Sequence, residues 1–141
     1  SYTDKIETTG LRYFSVFGPH EKSKGKYANV VTQFLWKMMD DEQPVIWGDG
    51  TQERDFIQVE DAVDATLQAS QSKESLNGEV INVGTGQSTS FNQVIKKLNE
   101  ELGTDITPKY VEGRKPENYM EKHRADTTKM EKLLQIKPEA F

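Results

Sequence analysis

The sequence contains no cysteine. That excludes a disulfide framework and any thiolate metal site, and it leads us to expect an intracellular setting. Long apolar runs are also missing. None approaches the roughly 18 residues that a membrane span needs. Basic residues are the minority: 18 Lys and Arg stand against 23 Asp and Glu, a net charge of −5. This balance argues against a general nucleic-acid binder. It leaves room for one small anionic ligand, because a few placed arginines can grip an anion inside an acidic protein. What is present suits a soluble globular unit: 141 residues, 34% hydrophobic and 29% charged, with no internal repeat or low-complexity segment. The start, Ser1-Tyr2-Thr3-Asp4-Lys5, reads as neither a signal peptide nor a natural Met start. We therefore expect a piece of a longer protein.

Periodicity sets out an α/β pattern. Thr8 to Phe17 is β-branched and aromatic and stops at Gly18-Pro19, which reads as a buried strand entering a basic loop, His20 to Lys26. Tyr27, Val30, Val31, Phe34, Leu35, Met38 and Met39 then follow helical spacing. Pro44 to Trp47 and Asp55 to Val59 read as short strands flanking the turn Gly48-Asp49-Gly50. Glu60 to Ser70 is helical with a small apolar face of Ala62, Val63, Ala65, Thr66 and Ala69. Asn77-Gly78 is a turn, and Glu79 to Val83 is a strand ending in Gly84-Thr85-Gly86. Phe91 to Leu102 carries the clearest helix signals: Ser90 as N-cap, Gln93 as its capping-box partner and Gly103 at the C-terminal end. Ile106 to Val111 predicts a strand, Glu112 to Arg124 a polar irregular stretch, and Asp126 the cap of a last helix, Thr127 to Leu134.

Few residues invite chemistry. In Gly48-Asp49-Gly50-Thr51-Gln52-Glu53-Arg54-Asp55-Phe56 a glycine-rich turn leads to an arginine at the mouth of a strand. Glycines let a ligand approach the backbone, and a guanidinium forks onto two phosphate oxygens. The pattern alone favours a plainer reading, a hairpin with a surface Arg–Asp pair. Gly84-Thr85-Gly86 sits between a strand and a helix, as a phosphate cradle would, but the full G-x-G-x-x-G is missing. A tight connection is the plainer reading there too. Tyr2 and Lys5 are one residue too close for a pair acting from one helix face. His20 and His123 are too isolated for a metal site. Arg114 and Arg124 lie in a solvated loop by composition, from which they could clamp an anion.

Taken in order, several blocks resemble the C-terminal part of the extended short-chain dehydrogenase/reductase family. They are Leu11 to Pro19, Pro44 to Gly50, Arg54-Asp55-Phe56-Ile57 with Val59-Glu60-Asp61, Asn82 to Gly86, and Ala125-Asp126. The resemblance covers nearly the whole chain and is nearest to UDP-sugar 4-epimerases. A second similarity, through Lys24-Gly25, is to ADP-heptose 6-epimerases. In this family a Rossmann half binds NAD and a smaller C-terminal part binds the sugar nucleotide; NAD removes and returns a hydride, and the protein positions and polarises.

The resemblance implies roles for particular residues. Arg54 falls on an arginine that grips the diphosphate, and Trp47 falls where the chain passes the base. Asn29 falls where a polar residue meets the phosphates, and Arg114 lies near a second phosphate-binding arginine. Ser15 stands where many members have a substrate-touching Asn. Tyr13 matches a residue close to the nicotinamide, and Lys24 a lysine beside the sugar, a possible auxiliary to catalysis. The family's G-x-x-G-x-x-G fingerprint and its Y-x-x-x-K pair are not in the chain. The expectation is thus a single piece, residues 1–141, that supplies nucleotide-sugar binding to a cytoplasmic, homodimeric, NAD-dependent epimerase and is inactive alone. Two of its strands, Thr9–Phe17 and Val80–Val83, are expected to belong to the Rossmann sheet. An ADP-heptose 6-epimerase, a dehydratase or decarboxylase of the same family, or a non-catalytic nucleotide-sugar-binding module, is the alternative.

Overall fold

A computed structural model describes residues 7–72, 75–76, 78–113 and 119–141. The Tyr2/Lys5 pair, Asn77 and Arg114 lie outside them. Eight short strands and four α-helices alternate among the described residues. The strands are β1 (Gly10–Tyr13), β2 (Ser15–Phe17), β3 (Val45–Trp47), β4 (Glu53–Arg54), β5 (Phe56–Gln58), β6 (Val80–Val83), β7 (Thr89–Ser90) and β8 (Lys109–Val111). The helices are α1 (Val30–Met39), α2 (Val59–Gln71), α3 (Phe91–Leu102) and α4 (Thr128–Leu134). Three strand pairs, β1–β6, β2–β5 and β3–β8, are parallel, and β4–β7 is antiparallel. The α/β class expected from the alternation is the class found.

The stretch read as one buried strand is two. Phe14 breaks it, donating its N–H to Val83 O at 2.9 Å, while Ser15 N–H turns to Asp55 O at 2.9 Å. The chain thereby leaves β6 and joins β5. β2 is half-buried, but Gly10, Arg12 and Tyr13 of β1 are exposed. Each of β1 and β6 pairs with the other alone among the described residues.

β5 is buried on both faces, as parallel strands in α/β proteins are. Phe56 packs with Val31, Phe34, Met38, Ile46 and the apolar stripe of α3. Its neighbour Ile57 packs on the opposite side with Ala65, Ile81, Val83, Met130 and Leu134. The period-2 alternation of a strand thus serves two cores at once. α3 begins and ends where its caps predict: Ser90 Oγ accepts from Gln93 N–H at 3.2 Å, Gln93 Oε1 accepts from Ser90 N–H at 2.8 Å, and Gly103 is left-handed at φ 65°. The last helix starts one residue later than expected, because the Asp126 carboxylate takes the N–H and hydroxyl of Thr128 at 3.0 and 2.6 Å.

The basic loop is instead a 3-10 helix, Glu21–Tyr27, interrupted at Gly25. It is held by a side chain that the loop reading passed over. Glu21 is buried, and its carboxylate accepts from Lys24 Nζ (2.8 Å), Asn29 N–H (3.2 Å) and the Thr32 hydroxyl. α1 is therefore capped by Asn29, whose Oδ1 accepts from Val31 N–H at 3.0 Å, and Tyr27 lies outside the helix, exposed to solvent. Met39, at the other end of the expected stripe, is exposed as well, because the α1 core face is centred on Val31, Phe34 and Met38.

Asp55 is heavily used in the fold. It is completely buried. Its Oδ1 accepts from Thr85 N–H (2.8 Å) and Thr85 Oγ1 (2.7 Å), and its Oδ2 accepts from Gly86 N–H (2.9 Å) and Ala125 N–H (3.0 Å). The approach is close enough that Gly84 admits no side chain: a Cβ there would lie 2.7 Å from Ala125 Cβ and 2.9 Å from Asp55 Oδ2.

Two outcomes follow. Asp55→Ala leaves several buried N–H groups unmet, each costing about 1–3 kcal/mol, so denaturant titration should show a loss of about 3 kcal/mol or more; a loss under about 1 kcal/mol contradicts this role. For Glu21, burial opposes ionisation, but the hydrogen bonds from Lys24, Thr32 and Asn29 outweigh it and hold the carboxyl below its ordinary value. A depressed carboxyl stabilises the fold above its ordinary pKa, and that contribution is lost as pH falls through the folded value. The melting temperature of Glu21→Gln should therefore fall less between neutral and acidic pH than that of the unaltered chain. Parallel curves would refute the linkage.

Candidate nucleotide-binding cleft

The segment Gln52 to Asp55 deals its side chains to two sides. Glu53 and Asp55 face the loops. Glu53 pairs with Lys122 Nζ at 2.7 Å and binds the Ser88 hydroxyl, and these two contacts hold its carboxyl below the ordinary range. Asp55 takes the Gly84-Thr85-Gly86 turn, as above. Gln52 and Arg54 face the other way, toward α3. The hairpin with a surface Arg–Asp pair is therefore not what forms: β3 pairs with β8, β4 pairs with β7, and the Asp55 carboxylate is turned inward onto backbone N–H groups.

The phosphate-cradle reading of Gly84-Thr85-Gly86 meets the same fact. A cradle needs N–H groups aimed at a ligand. Here those of Thr85 and Gly86 are already bonded to the protein's own carboxylate. The glycines serve a close strand-to-helix connection.

On the Gln52/Arg54 side lies a cleft of about 450 Å³. Its walls include Trp47, Phe34, Phe91, Tyr119, Gly113 and Gln52. The Arg54 guanidinium carbon lies 5.3 Å from the Tyr119 ring centroid and 5.9 Å from that of Phe91, and its Nη1 donates to Glu53 O at 2.7 Å. Contacts with two rings favour a cation and limit its rotation. Trp47 is 62% exposed, a large aromatic surface facing solvent at the rim of the same cleft. The glycine turn between them is braced on α3: Asn92 N–H donates to Gly50 O at 3.1 Å, and Gly50, at φ 79°, has no room for a Cβ beside the Asn92 side chain.

The other residues singled out in the sequence are spread more widely. Asn29 spends its side chain on the α1 cap and on Val16 O, to which Nδ2 donates at 2.9 Å, so its first effect is to set where the helix begins. Lys24 is tied to it through Glu21. Ser15 lies on β2 beside Asp55, half-buried. Tyr13 ends β1 with its hydroxyl 2.7 Å from Thr66 Oγ1 on α2, outside the cleft lining. His123 stacks on Phe14, with ring centroids 4.4 Å apart, and no group of three His, Cys, Asp or Glu able to hold a metal occurs among the described residues. Among these residues there is likewise no helix long and apolar enough to cross a membrane.

Sequence reasoning missed four residues of this neighbourhood. Phe91 was legible as part of a helix stripe, and Tyr119 lay in a polar stretch without periodicity. Glu21 carries no motif, and Gln52 lies in the glycine-turn stretch without a role of its own there. Their sequence signal is absent because burial, not pattern, gives them their roles.

Comparison with known proteins agrees with this architecture. Residues 1–84 match the epimerase family described as NAD dependent epimerase/dehydratase. A Methanocaldococcus jannaschii protein provisionally named UDP-glucose 4-epimerase is 40% identical over 98 residues, covering 70% of this chain and 30% of that protein. A UDP-N-acetyl-alpha-D-glucosaminuronate decarboxylase of Bacillus cytotoxicus is 31% identical, covering 94% of this chain and 42% of the relative. The solved UDP-glucose 4-epimerase of Thermotoga maritima with UDP-glucose superposes with a TM-score of 0.84 at 36% identity, covering 95% of this chain and 41% of that one. The chain thus spans between 30% and 42% of the length of these relatives. With the family match running over more than half of its residues and the fold in agreement, the chain belongs to the NAD-dependent epimerase/dehydratase family.

Proposed function

We propose that this chain is the nucleotide-sugar-holding part of an NAD-dependent epimerase acting on a UDP-sugar. The observation that carries this reading is Arg54, set between the faces of Phe91 and Tyr119 beside a cleft rimmed by Trp47. One of the five guanidinium donors is spent on Glu53 O, and the fork that remains suits two oxygens of a diphosphate. The indole of Trp47 offers its face to a base. Asn29, at the start of α1, supports the phosphate side, and Arg114 is assigned there by resemblance alone. Ser15 and Lys24 are assigned to the sugar, with Lys24 held as a fixed cation on the buried carboxylate of Glu21. The likeness to a uronate decarboxylase favours a second reading that keeps this grip and differs at the sugar.

Reversible hydride removal from a sugar carbon is the chemistry that NAD supplies in this family. The described residues fit the edge of such a cofactor and not its pyrophosphate. The turn that could have cradled phosphates is occupied by Asp55, and the resemblance alone assigns Tyr13, whose ring is partly exposed at the end of β1, to the nicotinamide side. In this proposal the pyrophosphate is held by a part of the protein with its own glycine fingerprint, and the whole enzyme is a cytoplasmic homodimer.

Titration calorimetry of the 141-residue chain should show UDP binding and no NAD binding. Arg54→Ala should weaken UDP by about 1.5–3 kcal/mol, the worth of a charge-assisted hydrogen bond. Tight NAD binding overturns the division of labour, and an unchanged UDP affinity in the variant removes Arg54 from the site.

A further inference from the structure

Charge is spread unevenly along the chain. Between Glu7 and Asp40 the only acidic residue is Glu21, while Arg12, Lys22, Lys24, Lys26 and Lys37 are basic. Three of these lysines fall within five residues, on the interrupted 3-10 helix Glu21–Tyr27. Glu21 does not cancel them all, because it is buried and paired with Lys24. Lys22 and Lys26 are exposed, and neither has an ion-pair partner among the described residues. The Lys26 ammonium lies over the Tyr27 ring instead, 5.1 Å from its centroid, and Tyr27 is 80% exposed.

This basic segment is pinned at three points. Glu21 anchors its start, since its carboxylate accepts from Lys24 Nζ, Asn29 N–H and the Thr32 hydroxyl. Gly25 turns it at φ 51°, a left-handed conformation that side chains oppose. Gln33 holds its end: Nε2 donates to Ala28 O at 2.7 Å and to Lys26 O at 3.3 Å. Gln33 also forms part of the wall of the cleft that Trp47 rims. The Lys26 backbone therefore stands one glutamine side chain from that cleft. This is inside the roughly 8–10 Å over which charge acts at physiological salt.

The consequence is electrostatic. A protein of net charge −5 repels an anion at long range. Fixed positive charge beside the cleft offsets that repulsion where the anion arrives. Charge so placed raises the rate of encounter without needing a contact in the bound state.

We propose that Lys22 and Lys26 steer the anionic ligand: they draw a nucleoside diphosphate to the cleft and act on association, while Arg54 acts on release. This rests on the nucleotide-sugar reading above and adds to it a capture surface outside the site itself.

The test separates association from dissociation. Both rate constants for UDP come from NMR line shapes of the Trp47 indole N–H through a titration. The unaltered chain is compared with the double variant Lys22→Gln/Lys26→Gln. Lys24 is kept, since it is bonded to Glu21 and assigned to the sugar. At low salt the double variant should associate about threefold more slowly or worse, with dissociation within about 1.5-fold of the unaltered chain. The gap should close as salt is raised to about 0.5 M. Lys132→Gln/Lys137→Gln removes the same charge from exposed positions on α4 and just beyond it, beside the other core, and should leave association unchanged. Equal association rates for the unaltered chain and the Lys22/Lys26 variant at low salt overturn the proposal. So does a loss confined to dissociation, which makes the lysines direct contacts. An equal slowing in the Lys132/Lys137 variant also overturns it, because total charge is then the cause. Failure of the unaltered chain to bind UDP at all is a different result, since it removes the nucleotide-sugar reading itself and the steering with it.

Discussion

Four hydrogen bonds converge on the Asp55 carboxylate from Thr85 N–H, Thr85 Oγ1, Gly86 N–H and Ala125 N–H. They tie together the entry to β5, the turn after β6 and the approach to α4, stretches 30 to 70 residues apart in sequence. The backbone of the same residue takes Ser15 N–H and so starts the β2–β5 pair. The direction of Arg54 follows from this knot. With Asp55 anchored inward, strand alternation sends Arg54 outward, and the two rings at its sides complete the orientation. A buried carboxylate surrounded by N–H donors sets the direction of a half-buried guanidinium one residue away.

The same arrangement explains how an acidic protein can hold an anion. The chain carries a net charge of −5, but the two carboxylates that flank Arg54 in sequence are engaged. Glu53 is paired with Lys122 and takes a hydrogen bond from Ser88, and Asp55 is wrapped in N–H donors. Neither competes with a diphosphate for Arg54. On the other side of Asn29, Glu21 plays the corresponding part for Lys24.

Local signals made part of this legible in the sequence. α3 could be drawn to the residue, because its capping box and terminal glycine act within one turn of the chain. The α/β class followed from the alternation of periods, and Arg54 and Trp47 followed from ordered blocks. What stayed hidden depends on contacts distant in sequence. The split at Phe14 arises because two different partner strands claim its neighbours. The 3-10 helix exists because a buried Glu21 finds Asn29 and Thr32. Gly84-Thr85-Gly86 has a ligand-binding look in sequence and an internal ligand in the fold, and nothing local distinguishes the two. Tyr119 has no periodic or motif context, and nothing in the Gly48 to Phe56 stretch marks Gln52 as buried, so their place at the cleft appears only in three dimensions.

The central claim is that the ligand enters on the Gln52/Arg54 side of this segment and not at the glycine turn on its other side. Chemical-shift mapping of the isotopically labelled chain with UDP-glucose separates these directly. The account predicts perturbations centred on the Trp47 indole N–H and the Arg54 Nε–H, with the amides of Thr85 and Gly86 unmoved in their bonds to Asp55. Perturbations centred on Thr85 and Gly86, with Trp47 and Arg54 silent, would contradict it.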